Sequence, residues 1–424
     1  MPNCRLARER MVETHIGRLP ASFGGAPSCV VAIPMRNEAE RIAACLRALS
    51  RQRTLAGQPL PAGSIGLVLL ANNCTDDTVR LAKAALAESA LRGTELPALI
   101  VETRLAPPLA NVGFARGVAL ELGARWLERR SPDSGVLLTT DADSRVPPDW
   151  VARSLAAIEA GCGAVAGRVR LEPREMRLLS PALKQRGRLE SGYEAALLRL
   201  QALIDPLPHD PWPNHWTASG ASYALSLAAY RAIGGLPMVA SSEDRALAET
   251  LHRHDIAIRH DPALIVTTSA RLTGRAPGGV AEALRRRAQE PDLPGDDRLE
   301  ALPHALHRFL WRARLRHWHR LGTLGRPEGS RPHWSLPLGL SPCVADEVEP
   351  CFGAFWQRIE ALSPQLVRQA LPPSAMLEHA RAARRMLRAF DQAALTPEPG
   401  NRADTRPRDS GERPARFAAV SAHA

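Results

Sequence analysis

The chain has 424 residues, of which 45% are hydrophobic and 23% are charged, a balance typical of a soluble globular protein with one large α/β unit and appended pieces. No apolar run reaches the roughly 18 to 20 residues of a membrane-spanning helix, and residues 1–30 lack the apolar stretch of a secretory signal, so we expect a cytoplasmic protein. The net charge of +11 comes almost entirely from arginine and aromatic residues make up only 4% of the chain, so we expect no nucleic-acid partner.

The first organised unit follows a segment without a clear pattern. Residues 1–27 have mixed charge and no sustained period, and we interpret them as a loose N-terminal lead-in. The apolar, β-branched run 29–33 ends at Pro34 and predicts a buried parallel strand. Asn37 and Glu40 have the spacing of a capping box, which predicts a helix that begins beside them.

The alternation of strand and helix then repeats. Strands are predicted at 65–70, 99–101 and 135–139, and helices at 79–91 and 117–127. Such alternation implies a parallel sheet with right-handed crossovers, and ligands of open sheets bind beyond the carboxyl ends of the strands. Three polar segments follow predicted strands: residues 36–38, 72–76 and 141–143.

The pattern loosens after about residue 150. Further strands are predicted at 164–171, 256–258 and 264–268, and further helices at 150–160, 184–204 and 226–233. Residues 276–395 are predicted to be a mainly helical extension with proline-rich breaks. The tail 396–424 has few apolar residues and is predicted to be disordered.

Two carboxylates follow the predicted strand 135–139. Carboxylates such as Asp141 and Asp143 hold a hard divalent cation, Mg²⁺ or Mn²⁺, while substrate phosphates and water take the remaining positions. By itself the Asp-Ala-Asp segment also suits a solvated loop or a helix N-cap. Its place at a strand end, beside two other polar turns, favours the metal site.

A second acidic pair, Glu243 and Asp244, begins a predicted helix after Gly234-Gly235. The helix dipole alone favours acidic residues in a first turn. Alternatively, one of the two is a general base that removes a proton from an attacking hydroxyl within hydrogen-bond reach, about 2.6 to 3.2 Å. Spacing and periodicity leave both interpretations open.

Five segments in order resemble the landmarks of family 2 glycosyltransferases with the GT-A fold. They are residues 33–38 (Ile-Pro-Met-Arg-Asn-Glu), 72–78, 111–116 (Asn-Val-Gly-Phe-Ala-Arg), 141–143, and 234–235 with 243–244. The resemblance covers residues 28–275 and implies an α/β class, a Rossmann-like mainly parallel sheet flanked by helices, with a helical C-terminal extension. It also implies an inverting, metal-dependent, non-processive transfer of a sugar from a nucleotide-sugar donor to a hydroxyl acceptor.

The resemblance assigns roles to individual residues. Asp141 and Asp143 are expected to ligate Mg²⁺ or Mn²⁺, and Asp244 is the expected catalytic base, with Glu243 supporting it or touching the acceptor. The expected donor-binding residues are Pro34, Arg36, Asn37, Glu38, Asn72, Asp76, Arg116, Asp141, Arg271 and Arg275. The expected acceptor-binding residues are Trp212, Trp216, Ser219 and Gly220, although these tryptophans also suit a partly buried loop.

Three departures from the family pattern matter. Ala71-Asn72 stands where the family has an acidic pair, which leaves the nucleotide open. The segment 265–271 has no metal-binding histidine, and His260 is only a distant substitute; Arg271 or Arg275 could instead supply charge to the donor diphosphate, or the segment is a surface turn. No Gln-x-x-Arg-Trp element is found, which argues against a processive synthase.

Residues 307–320 are basic and aromatic, with Leu310, Trp311, Leu315 and Trp318 on one helical face. Such a helix either caps a domain or lies peripherally on the inner face of a membrane. The acceptor is left open as a small molecule, a lipid-linked molecule or a glycan. The alternative function is a noncatalytic GT-A-like protein, or a basic protein that binds membrane or nucleic acid.

Overall fold

The computed structural model describes residues 2–20, 27–129, 131, 134–239, 241–271, 280–325 and 333–395. These residues form a seven-stranded sheet with the order β3-β2-β1-β4-β6-β5-β7. The strands are β1 (Cys29–Met35), β2 (Ile65–Asn72), β3 (Ala98–Thr103), β4 (Val136–Thr139), β5 (Ala164–Leu171), β6 (Tyr223–Ser226) and β7 (Ile258–Thr268). β6 is antiparallel to both of its neighbours, and the other pairs are parallel.

Helices flank the sheet and continue beyond it. Those around the sheet are α1 (Pro2–Ile16), α2 (Ile42–Leu49), α3 (Thr78–Leu91), α4 (Val112–Glu128), α5 (Trp150–Glu159), α6 (Pro173–Met176), α7 (Pro181–Ile204), α8 (Leu227–Ala232) and α9 (Glu243–Arg253). The C-terminal helices are α10 (Val280–Gln289), α11 (Leu302–Leu321), α12 (Phe352–Leu362) and α13 (Pro373–Leu395). The predicted α/β class, a mainly parallel sheet flanked by helices with a helical C-terminal region, is confirmed.

Two apolar cores lie on the two faces of the sheet because successive side chains of a strand point to opposite sides. On β1, Val30 packs in a core with Val118 of α4, whereas Val31 packs in a core with Leu46 of α2. Every residue of β1 and β2 is buried, as expected for central parallel strands covered on both faces. The sheet therefore gives a rigid base for the loops at its carboxyl edge.

The predicted loose lead-in is wrong for most of its length, because residues 2–16 form α1. Val12 of α1 is buried in the same core as α4. Arg8 is also buried, and its Nη1 donates a hydrogen bond to the carbonyl oxygen of Leu236 at 2.8 Å. A helix anchored by a buried arginine lacks the apolar stripe that sequence periodicity detects, so the pattern gave no signal.

The predicted capping box is also wrong. α2 begins at Ile42, and no side chain caps it. Asn37 adopts a left-handed conformation (φ 55°), and its Oδ1 accepts a hydrogen bond from the backbone N–H of Thr75 at 2.8 Å. A contact with a loop distant in sequence therefore replaces the local cap.

The two strands predicted at 256–258 and 264–268 form one strand, β7. Its pairing with β5 shifts register, since Gly167 pairs with Asp261 and Arg168 pairs with Ile265. Pro262 lies in the unpaired stretch between them, which suits an edge strand because proline has no N–H to donate.

The C-terminal helices enclose two further cores. Tyr193 and Leu197 of α7 pack with Phe309 of α11 and Leu387 of α13, so a shared core crosses the predicted boundary at residue 275. In the second core, residues of α11 pack against α12. The predicted tail 396–424 lies outside the described residues.

The basic aromatic segment 307–320 caps a core. Trp311 and Leu315 are buried against Phe355 of α12, whereas Leu310 is exposed. Most of the apolar residues expected on one helical face therefore pack against other parts of the protein. In the described part of the chain, no helix is long and apolar enough to cross a membrane.

Asp255 joins the C-terminal helices to the sheet domain. Its two carboxylate oxygens accept hydrogen bonds from the backbone N–H groups of Phe352 (2.6 Å) and Gly353 (2.7 Å) at the start of α12. A carboxylate at a helix N-terminus is also favoured by the helix dipole. α12 is therefore held close to the end of α9.

Replacing Gly353 by alanine is expected to destabilise the protein by about 1 to 3 kcal/mol, the usual cost of overpacking. A Cβ atom at Gly353 would lie 1.6 Å from the carbonyl oxygen of His252, so α12 must move away from α9. Denaturant unfolding would measure the loss. Gly187→Ala in α7 is the matched control, because nothing lies within 4 Å of its added Cβ, and an equal loss in both variants would contradict the close contact.

Candidate active site

Arg116 of α4 lies at the centre of the site and is only 3% exposed. Its Nη2 donates a hydrogen bond to Asp141 Oδ1 at 2.7 Å, and its Nε donates to Glu243 Oε1 at 3.1 Å. Its Nη1 donates to Thr139 Oγ1 at 2.5 Å and to the carbonyl oxygen of Gly220 at 2.9 Å. One guanidinium group therefore joins the two acidic segments that the sequence singled out.

The charge of Arg116 is stabilised by its neighbours. Burial disfavours the charged guanidinium, but the carboxylates of Asp141 and Glu243 outweigh burial and raise the pKa of Arg116 above its usual range. Arg116 is therefore a permanent cation between two carboxylates.

The acidic pair at the start of α9 has two different environments. Glu243 is buried and faces Arg116. Asp244 is partly exposed; its Oδ2 accepts a hydrogen bond from the N–H of Gly220 at 3.1 Å, and its Oδ1 accepts one from the N–H of Arg245 at 2.8 Å. Burial and then the neighbouring Glu243 raise the pKa of Asp244, which makes its carboxylate a stronger base.

Asp143 lies beside a second guanidinium group. Its Oδ1 accepts hydrogen bonds from Thr268 Oγ1 at 3.1 Å and Ser144 Oγ at 3.3 Å, and its Oδ2 lies 3.2 Å from Arg271 Nη2. Arg271 also donates two hydrogen bonds to the Glu38 carboxylate, at 2.7 and 2.9 Å. Burial, and then the nearby carboxylates of Asp141 and Glu38, raise the pKa of Asp143. The surroundings of Asp143 thus favour a nearby positive charge.

The predicted metal ligands fit a cation that is shared with a substrate. In the ranges that the structure describes, no group of three or more His, Cys, Asp or Glu side chains is placed to hold a metal ion. Mg²⁺, however, is commonly bound through one or two carboxylates, with waters and substrate phosphates as its other ligands. Asp141 and Asp143 provide such a pair, but they do not form a closed protein site.

The loops after β1 and β2 bind each other. Besides the contact between Asn37 and Thr75, Asp76 Oδ2 accepts a hydrogen bond from the N–H of Ala39 at 3.1 Å. The N–H of Glu38 donates to Thr78 Oγ1 at 2.7 Å. These contacts fix the loop that carries Glu38 at the carboxyl edge of the sheet.

The other expected donor-binding residues lie at or near the same edge. Pro34 is on β1, where it pairs with Leu70, and Asn72 is buried at the last position of β2. Arg36 is exposed, and its Nη1 donates to the carbonyl oxygen of Ala110 at 3.4 Å. Arg275 lies outside the described residues.

The expected acceptor-binding residues differ in exposure. Trp212 is 40% exposed, and Trp216 is half-buried with the Arg298 guanidinium 5.3 Å from its ring centre. Ser219 Oγ accepts a hydrogen bond from the N–H of Ala221 at 3.3 Å. Acceptor contact by the two tryptophans therefore stays a prediction.

Gly220 has a structural role that the sequence did not reveal. It binds both Asp244 and Arg116 through its backbone, and a Cβ atom at this position would lie 2.4 Å from Arg116 Cζ. A glycine is therefore required where the loop approaches the buried guanidinium.

Two threonines also escaped the sequence patterns. Thr139 binds Arg116 and Thr268 binds Asp143 through their side-chain hydroxyl groups. Both are the last residues of strands, β4 and β7, where a β-branched residue is ordinary. Their position at the carboxyl edge of the sheet is the feature of the sequence that could have identified them as site residues.

His260, the distant substitute for a metal-binding histidine, belongs to another cluster. Its Nδ1 lies 2.8 Å from Asp210 Oδ2, and its ring contacts that of His215 edge to face. His215 is 1% exposed; its Nδ1 accepts a hydrogen bond from the N–H of Thr217 at 3.1 Å. Burial, and then the neighbouring His260, lower the pKa of His215 to about 3.

The free energy of unfolding is expected to fall as the pH is lowered from about 6.5 toward 3. In the unfolded chain His215 takes up a proton near pH 6.5, whereas in the native protein it does so only near pH 3. Between these two values the unfolded state binds the proton more readily, so lowering the pH stabilises the unfolded state. The contribution at pH 5 is about 2 kcal/mol. Between pH 7 and pH 5, the free energy of unfolding should fall less for His215→Gln than for the wild type. An identical dependence on pH in the two proteins would contradict a buried, unprotonated ring.

Comparisons with known proteins give distant similarities. No family model matches the sequence, and no curated protein matches it. TarS 1–349 of S. aureus, solved with UDP-GlcNAc, is 16% identical, with 86% of this chain and 92% of that chain covered and a TM-score of 0.41. The mannosyltransferase PcManGT of Pyrobaculum calidifontis, solved with GDP-Man and Mn²⁺, is 16% identical, with 93% and 91% covered and a TM-score of 0.38.

A third similar structure is glucosyl-3-phosphoglycerate synthase from Mycobacterium tuberculosis, solved with Mn²⁺, UDP and phosphoglyceric acid. It is 21% identical, with 60% of this chain and 75% of that chain covered and a TM-score of 0.34. Similarities of this strength do not identify the activity of this chain, which has to be argued from its own site.

Proposed function

We propose that the protein is a glycosyltransferase that moves a sugar from a nucleotide-sugar donor to a hydroxyl acceptor. The principal support is Arg116, which contacts Asp141 and Glu243 simultaneously, at 2.7 and 3.1 Å. Arg116 thereby joins the Asp141 segment to the start of α9, where Asp244 follows Glu243, and this supports a site that combines a cation-binding segment with a base.

The donor diphosphate is proposed to bind near Asp141 and Asp143. A divalent cation, Mg²⁺ or Mn²⁺, held by these two carboxylates would supply positive charge against the departing nucleoside diphosphate. Two protein cations lie nearby: Arg116 beside Asp141 is buried, whereas Arg271, 3.2 Å from Asp143 Oδ2, is partly exposed. We assign Arg271 to the donor phosphates, because guanidinium groups bind phosphate oxygens through paired hydrogen bonds.

The nucleoside is proposed to lie along the carboxyl ends of β1 and β2, near Pro34, Asn37, Asn72 and Asp76. Asn37 and Asp76 use side-chain oxygens to bind loop N–H groups. We therefore propose that they act on the donor indirectly, by holding the loop that carries Glu38 in place.

Asp244 is proposed to remove the proton from the acceptor hydroxyl. The acceptor oxygen then forms a bond to the anomeric carbon as the bond to the diphosphate oxygen breaks, and the electron pair of that bond leaves with the nucleoside diphosphate. A single displacement of this kind inverts the anomeric centre, and one transfer per acceptor is expected. Glu243 is buried, so we assign it to holding Arg116 and the start of α9.

Thermal stabilisation by nucleotides tests the donor site. UDP, GDP and TDP are each added with Mn²⁺, and one of them is expected to raise the free energy of unfolding by about 2.7 kcal/mol at 100 times its Kd. A chelator should remove the shift, and Asp143→Asn should reduce it. The lack of stabilisation by all three nucleotides would contradict the proposal.

A further inference from the structure

α13 carries a row of exposed arginines. Met376, Ala380, Ala383 and Leu387 are its buried residues. Arg381, Arg384, Arg385 and Arg388 are exposed, and their spacing of three and four residues puts them on one side of the helix. Leu377, 44% exposed, lies four residues before Arg381 and therefore on the same side.

α7 extends this row. Arg384 Nη2 lies 2.7 Å from the position of a Cβ atom at Gly192, and Arg199 of α7 pairs with Asp391 of α13 at 2.5 Å. The two contacts are equally spaced on both helices, so α7 and α13 run parallel. Arg188, exposed one turn before Gly192, continues the row. We call Arg188, Arg381, Arg384, Arg385 and Arg388 the basic face.

The basic face lacks counter-charges. Across the described ranges of the chain, none of its five guanidinium groups forms a hydrogen bond or an ion pair. By contrast, three arginines of α11 are paired: Arg308 with Glu300 and Glu360, and Arg312 and Arg316 with Asp205. Glu378 and Asp391 are the acidic residues of α13 next to the two ends of the row, and Asp391 is already paired with Arg199, so five positive charges face two negative ones. An exposed surface of this composition attracts an anionic partner.

We infer that the basic face binds the surface of an anionic phospholipid bilayer. Leu377 lies at the start of the row of arginines, where it can enter a lipid head-group region but gains nothing from a sugar-phosphate backbone. Proteins that bind single-stranded nucleic acid interleave aromatic residues with basic ones. Phe390 of α13 lies two positions beyond Arg388 and so on the opposite side of the helix.

The contact is electrostatic and reversible, because the apolar side of α13 is buried in the protein. Each arginine near an anionic membrane surface increases partitioning roughly fivefold. The effect is screened over a Debye length of about 8 Å at physiological salt and about 3 Å at 1 M. This binding does not depend on the proposed glycosyl transfer.

Co-sedimentation of the full chain with vesicles tests the inference. Binding is expected to phosphatidylcholine vesicles that contain phosphatidylglycerol, and not to phosphatidylcholine alone, and it should be lost in high salt. R381Q/R385Q/R388Q is expected to reduce partitioning roughly 100-fold. All three side chains are exposed, so the variant should fold and keep its rate of donor hydrolysis.

The control variant R10Q/R51Q/R174Q removes the same charge from exposed positions on other elements. It should retain vesicle binding within a few-fold. Equal losses in the two triple variants would overturn the inference, since net charge would then explain the binding. The lack of binding to anionic vesicles would overturn it too, as would tight binding of a 30-nucleotide single strand that only the α13 variant loses.

Discussion

Asp244→Asn is expected to reduce the rate of sugar transfer by roughly 10²- to 10⁴-fold, the usual contribution of a general base. The amide keeps an oxygen that can accept the hydrogen bond now given by the N–H of Gly220 at 3.1 Å, so the local structure should persist. Nucleotide binding should stay within a few-fold of the wild type, because Asp244 is assigned to the acceptor hydroxyl. Transfer rates at saturating donor, together with nucleotide affinity, measure the two effects separately.

Glu249→Gln is the matched control for Asp244→Asn. Glu249 is an exposed carboxylate on the same helix, and it pairs with Arg245 at 3.2 Å. Its replacement removes the same charge from α9 but should leave transfer within a few-fold of the wild type. Comparable rates for the two variants would show that Asp244 is not the base.

Arg116→Met is expected to destabilise the protein by about 3 to 5 kcal/mol, the usual result of removing one partner of a buried ion pair. The side chains of Arg116 and Glu243 are 4% and 5% exposed, so the remaining carboxylate would stay buried without its counter-charge. The midpoint of denaturant unfolding measures the loss. Adding Glu243→Gln to Arg116→Met should recover part of it, since the double variant no longer buries that charge.

Arg125→Met gives the comparison for Arg116. Arg125 is on the same helix and pairs with Glu121 at 3.1 Å, but its side chain is 46% exposed. Exposed pairs contribute about 0 to 1 kcal/mol. If Arg116→Met and Arg125→Met unfolded at the same denaturant concentration, the central role of Arg116 would be wrong.

The sheet was predictable because its central strands have an unusually clear pattern. β1 and β2 are buried on both faces, and their sequences are continuous apolar runs. Polar residues end each run, and the topology of a parallel sheet brings those ends to one edge. The loop of Glu38, residues 72–76 and the Asp141 segment were therefore expected to lie close together, whereas only the family resemblance assigned the start of α9 to the same site.

The contacts within this edge were not predictable from local patterns. Arg116 was expected near the donor, and its buried contact with Glu243 joins α4 to the start of α9, which is more than a hundred residues away in sequence. The capping box failed for the same reason, because Asn37 binds Thr75 across the gap between two loops. Hydrophobic periodicity describes which face of an element is buried, but it does not describe which polar partners meet there.

Release of nucleoside diphosphate from a nucleotide sugar tests most directly whether the carboxylates at this edge form a donor site. The full chain is incubated with UDP-, GDP- or TDP-sugars and Mn²⁺ or Mg²⁺, without an acceptor, beside Asp143→Ala. Slow release from one donor is expected, and both a chelator and Asp143→Ala should abolish it. Lack of release from every donor, or equal release by Asp143→Ala, would contradict the proposed site.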